Sequence, residues 1–140
     1  MQNNNTSKDF LQLVAVTADL CFKPWKHAVV NKDSPANNSW NLDDQIELVF
    51  RIECRNIEGN RFINNDLDLE IYSSGKDVNI MIGWPNKLDQ PILWQGQHSV
   101  WMDASTGKPC HVPSDGESLE SFARRLRALF TQQEELERII

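Results

Sequence analysis

Cysteine is scarce in this chain of 140 residues, and the three present, Cys21, Cys54 and Cys110, are an odd number at wide spacing. That excludes a disulfide framework and fits reduced thiols. Long apolar runs are missing, so nothing in the sequence is suited to cross a bilayer. The start, Met1 to Lys8, is polar and rich in Asn, without a basic stretch followed by an apolar one, so it carries no secretory signal. The expected location is the cytoplasm, where the Asn-x-Ser/Thr sequences at Asn4 and Asn37 have no meaning as glycan acceptors. Positive charge is also in deficit: 14 Lys and Arg stand against 20 Asp and Glu, for a net charge of -6. Nucleic-acid affinity comes from Lys and Arg neutralising phosphates, so this balance argues against a polyanion partner and for a protein or a small molecule. No internal repeat is present, and no motif of nucleophile, base or metal ligands stands out.

What the chain does contain is alternation. From Asp66 to Trp84, Leu67, Leu69 and Ile71 alternate with Asp66, Asp68, Glu70 and Tyr72, and after Ser74-Gly75 the residues Val78, Ile80, Ile82 and Trp84 alternate with polar ones. The pattern predicts a hairpin with one apolar face. A two-residue turn at Ser74-Gly75 would oppose Ile71 to Val78, Leu69 to Ile80 and Leu67 to Ile82. The stretch from Gln45 to Arg55 alternates in the same way, with Ile46, Leu48, Phe50, Ile52 and Cys54 on one face. A turn near Glu58-Gly59 would bring it beside the Leu67 strand, opposing Phe50 to Leu67 and Arg51 to Asp66. Ile92 to Trp94 and Ser99 to Met102 resume an extended pattern, with a bulge or bend at Gln95-Gly96-Gln97, and Cys110-His111-Val112 reads as a short edge strand.

Helical signals flank this region. Ser7 is placed to cap a helix carrying Phe10, Leu13, Val14, Thr17 and Cys21 on one face and ending at Lys23-Pro24. Lys32 to Asp44 is dense in Asn, Asp, Ser and Pro and reads as a loop. At the other end, Ser114 and Glu117 have the spacing of a capping box, ahead of the stripe Leu119, Phe122, Ala123, Leu126, Leu129 and Phe130. Leu136, Ile139 and Ile140 resume the stripe at the chain end, where a dimer contact or fraying is the expectation. The fold class that follows is α+β: an antiparallel meander of four to five strands with N-terminal and C-terminal helices on one face. A flexible N-terminus over residues 1–8 would precede a single domain over residues 9–140.

Function is harder to read. Trp84, Trp94 and Trp101 lie within one short region, where Gln95, Gln97 and His98 offer polar groups, so these six residues are the candidate ligand or interface site. Trp84 also continues the inner face of its strand and reads as core. His98, Cys110 and His111 lack the spacing and the fourth ligand of a zinc site, since neighbours on a strand point to opposite faces. The row Asp66, Asp68 and Glu70 reads as a solvated face partly neutralised by Arg51 and Arg55.

The segments LEIYSSGKDVNIMIGWP, ILWQGQHSVWMDASTGKPC and ESFARRLRALF resemble small uncharacterised proteins of cyanobacteria. That resemblance implies a cytoplasmic protein and supplies no catalytic residue. The expected function is a non-enzymatic binding or regulatory module acting through protein contacts, needing no cofactor and no metal and meeting neither nucleic acid nor membrane. The alternative is a small-molecule-binding protein or enzyme with a Trp-lined pocket. A deep pocket lined by Trp94, Gln95, Gln97 and His98 would favour the alternative, and a flat apolar patch would favour the interaction module.

Overall fold

The structure is a computed structural model that describes the backbone of residues 3–32, 47–74, 77–87 and 89–139, and side chains over 10–32, 47–73, 77–87 and 89–130. Helix α1 (Asn3–Cys21) leads into strands β1 (Lys26–Asn31), β2 (Glu47–Arg55), β3 (Leu67–Ser74), β4 (Asp77–Gly83), β5 (Ile92–Gln95) and β6 (Ser99–Met102), and helix α2 (Gly116–Ile139) closes the chain. The fold is α+β, and its sheet is an open antiparallel meander in which every strand pairs with its sequence neighbour. It has six strands rather than four or five. Two readings account for the difference. Lys26–Asn31, KHAVVN, is a strand whose flanking polar residues hid its pattern, and Gly96 lies in a tight hairpin turn between two strands instead of a bulge within one. A side chain at Gly96 would place Cβ 2.9 Å from Asn79 Oδ1 and 3.0 Å from the Trp94 ring, so the turn needs glycine there. Cys110 to Val112 is not a strand; an isolated bridge from Met102 to Pro109 is what pairs there.

Facing residues follow the expected parity but a different register. Ile71 opposes Ile80, Leu69 opposes Ile82 and Ser74 opposes Asp77, which leaves residues 75–76 as the connection. In the β2–β3 pair Phe50 opposes Leu69 and Arg51 opposes Asp68. Both ladders are offset by two residues from the sequence reading. An offset of two keeps every side chain on its face, so hydrophobic alternation is blind to it.

The inner face, with Phe50, Ile52, Leu69, Ile71, Ile80, Ile82 and Leu93, packs with both helices into one core. From α2 come Leu119, Phe122, Ala123, Leu126 and Phe130, all buried, each large side chain worth roughly 1.5–3 kcal/mol before entropy is subtracted. From α1 come Phe10, Val14 and Ala18. Phe10 meets Phe130 edge-on at 4.9 Å and Phe22 meets Phe122 at 5.4 Å, joining the helices. The helix α1 begins at Asn3, so Ser7 lies within it and not at its cap. Leu13, expected on the buried face, is 43% exposed. Leu136 and Ile139 lie on α2 and Ile140 follows it, but their side chains are outside the described residues, and the loop expected over Lys32 to Asp44 lies outside them past Lys32.

Asp66 departs most from its expected place. Instead of standing on a solvated outer face it is 2% exposed, because β3 starts one residue later. Its Oδ1 accepts the Cys54 backbone N–H at 2.8 Å, while the Phe62 N–H donates to the Cys54 carbonyl at 2.8 Å. Arg61 donates to the other oxygen of Asp66 and also pairs with Glu53. A buried carboxylate is tolerated when charge and hydrogen bonds meet it on both oxygens. Among the described residues, no helix is long and apolar enough to cross a membrane.

Candidate functional site

The six residues singled out in the sequence are split between the two faces of the sheet. Trp84, just past β4, and Trp101, on the inner face of β6, stack at 6.3 Å with their planes 14° apart. Trp101 is buried and its Nε1 donates to Glu120 of α2 at 2.6 Å, which satisfies the indole and ties β6 to the helix. Trp94 points to the outer face, level with Met81 and Val100, and donates to the Tyr72 hydroxyl at 2.8 Å. Gln95 is buried on the inner side, bonded to Ser99 and the Gly96 carbonyl. Gln97 and His98 are exposed in the β5–β6 turn. So Trp84 and Trp101 come together, and the others do not join them around one space.

Concave surface forms elsewhere, beside Trp84. On the outer face an open groove of about 400 Å³ runs over Val49, Met81, Gly83 and Ile92. Under the sheet, where the end of α1 meets β1 and the start of α2, lies a second cavity of about 250 Å³. Trp84 and Lys87 border both, and neither takes in Trp94, Gln95, Gln97 or His98. Lys87 Nζ sits 5.5 Å from the Trp84 ring centroid, within reach of its π face.

The inner cavity gathers residues that sequence spacing gave no reason to join: His27 from β1, Cys54 from β2 and Cys21 from the end of α1. His27 and Cys54 are direct cross-strand partners. Burial pushes His27 below the ordinary histidine value, against the raising effect of the Asp19 hydrogen bond and charge, so the ring is neutral. Burial, aided by the Asp66 carboxylate, pushes the Cys54 thiol up to about 11, and burial also raises Cys21. Thiols held in the protonated form are poor nucleophiles. Among the described residues no group of three or more His, Cys, Asp or Glu is placed to hold a metal.

A third surface lies on α1. Leu13, Val16 and Leu20 point outward and are 43, 47 and 52% exposed. Their spacing of three and four puts them on one stripe. Val16 and Leu20 line an open groove of about 450 Å³ with Pro24, Trp25 and Ile57, the last 75% exposed. Asp19, Lys23 and Lys26 edge the same groove. Sequence reading assigned α1 a single face, and the signal it passed over was this second run of apolar residues at helical spacing.

A family model described as a domain of unknown function, DUF8659, matches residues 11–129. No curated protein and no solved structure matches the chain.

Proposed function

Because the chain belongs to the DUF8659 family, whose description names no activity, we propose its function from its surface: a non-enzymatic binding module that acts through protein contacts. The observation that carries this reading is the outward stripe of α1. Large aliphatic side chains seldom stand in a contiguous exposed row unless something covers them, because each leaves its burial energy unrealised. The partner is a second copy of this chain. The groove carries both apolar knobs, Leu20 and Ile57, and charges of both signs, Asp19 against Lys23 and Lys26. A two-fold axis through such a patch lays each copy's lysines against the other's carboxylate. The Cys21 and Cys54 thiols, pushed up by burial, support a binding role over a covalent one at those two positions.

Sedimentation velocity of the full chain at micromolar concentration tests the reading. The wild type is expected to sediment as a dimer and the double variant Val16→Glu, Leu20→Glu as a folded monomer. A wild type that stays monomeric, or a dimer that survives both substitutions, overturns it.

A further inference from the structure

The inner cavity holds an unused polar atom. The His27 side chain is 2% exposed, and its Nδ1 lies 2.9 Å from Asp19 Oδ1. A carboxylate can only accept, so the ring proton sits on Nδ1 and Nε2 presents a bare lone pair. No hydrogen bond from a described residue reaches Nε2. Yet no buried side-chain nitrogen or oxygen among the described residues is both sealed from solvent and without a partner. His27 lines the cavity, and Nε2 is the ring nitrogen that the Asp19 contact leaves over.

The rest of the wall is complementary to a particular kind of molecule. Lys23 and Lys87 stand against one carboxylate, Asp115, and no ion pair among the described residues engages either lysine. Trp25 and Trp84 supply flat aromatic surface. The cavity measures about 250 Å³, where about 150 Å³ suffices for benzene. The difference leaves room for polar substituents on a single ring.

We propose that this cavity binds a small planar aromatic carboxylate bearing a hydrogen-bond donor. The ring lies against Trp84, the carboxylate meets Lys87, and the donor meets His27 Nε2. Burial keeps His27 neutral and so keeps the lone pair available. This site goes beyond the α1 surface: it needs no second copy of the chain, and its ligand is not a protein.

Isothermal titration of the full chain with three probes tests it. Saturable binding is expected for 4-hydroxybenzoate. Benzoate lacks the donor and 4-hydroxybenzyl alcohol lacks the charge, and each is expected to bind about tenfold or more weakly, the worth of one good hydrogen bond or ion contact. Lys87→Met is expected to weaken 4-hydroxybenzoate by about tenfold while leaving the alcohol unchanged. His27→Phe is expected to bring 4-hydroxybenzoate down to the level of benzoate. Should that buried substitution fail to fold, the loop variant at Lys87 decides alone. The proposal is overturned by the absence of saturable heat at millimolar 4-hydroxybenzoate, by equal affinity for all three probes, or by a Lys87→Met protein that binds as the wild type does.

Discussion

The two helices lie over one core and spend their apolar residues differently. Along its described length α2 turns its large residues inward, with Leu119, Phe122, Leu126 and Phe130 buried and only Leu129 partly so. By contrast α1 buries Phe10, Val14 and Ala18 and shows Leu13, Val16 and Leu20 to solvent. An amphipathic helix on a globular domain needs one apolar stripe. The second stripe on α1 has no task in the fold, which is why it is the better place to look for a partner.

The sharpest way to break this contrast is to delete side chains on each helix. Phe122→Ala is expected to cost about 3–5 kcal/mol, a large part of a total stability of roughly 5–15. Leu20→Ala, measured by the same urea titration at low protein concentration, is expected to stay within about 0.5 kcal/mol. Equal losses would mean that the α1 stripe belongs to the core.

A smaller effect follows from the His27–Asp19 bond, which fastens α1 to β1 as the Trp101–Glu120 bond fastens α2 to β6. His27 titrates lower in the folded chain than its ordinary value of 6.5. As pH falls through 6.5 the unfolded chain takes up the proton first, so stability drops, and the loss is complete once the lowered native value has been passed. Thermal melts at about pH 7.5 and about pH 5.5 are expected to show a wider gap for the wild type than for His27→Phe. A gap of the same size in both would remove His27 as the cause.

The smallest effect is a matter of rate. With an aromatic disulfide reagent at about pH 8, exposed Cys110 is expected to react first, half-buried Cys21 at the end of α1 more slowly, and Cys54 last, its thiol being held near 11. If Cys54 reacts before Cys21, the sheet and not the α1 end is the looser region.

Much of this molecule was legible in its sequence, and the gaps have physical causes. Alternation placed Leu48, Phe50, Leu69, Ile71, Ile80 and Ile82 on one buried face, and spacing placed the α2 stripe. Register was beyond it, because a two-residue offset leaves the faces unchanged and the turn alone decides. Asp66 was misplaced because a carboxylate just ahead of a strand looks like one within it. The α1 surface escaped because apolar residues occur on both sides of that helix. His27, Asp19 and Cys54 were illegible as a group, since only the pairing of β1 with β2 and the docking of α1 bring them together.

The strict meander order carries a consequence for how the chain assembles. Each strand finds its partner next door in sequence, and the β3–β4 and β5–β6 ladders close short loops at little entropic cost, whereas β1 and β2 are joined across residues 32–46. The contact between Phe10 and Phe130 is different, because it joins residues near opposite ends of the chain. Hairpins should therefore be formed at the rate-limiting barrier, with the two helices clasping afterwards. Kinetically, truncating Phe130 would hasten unfolding and leave the folding rate almost untouched, whereas truncating Ile80 would slow folding itself.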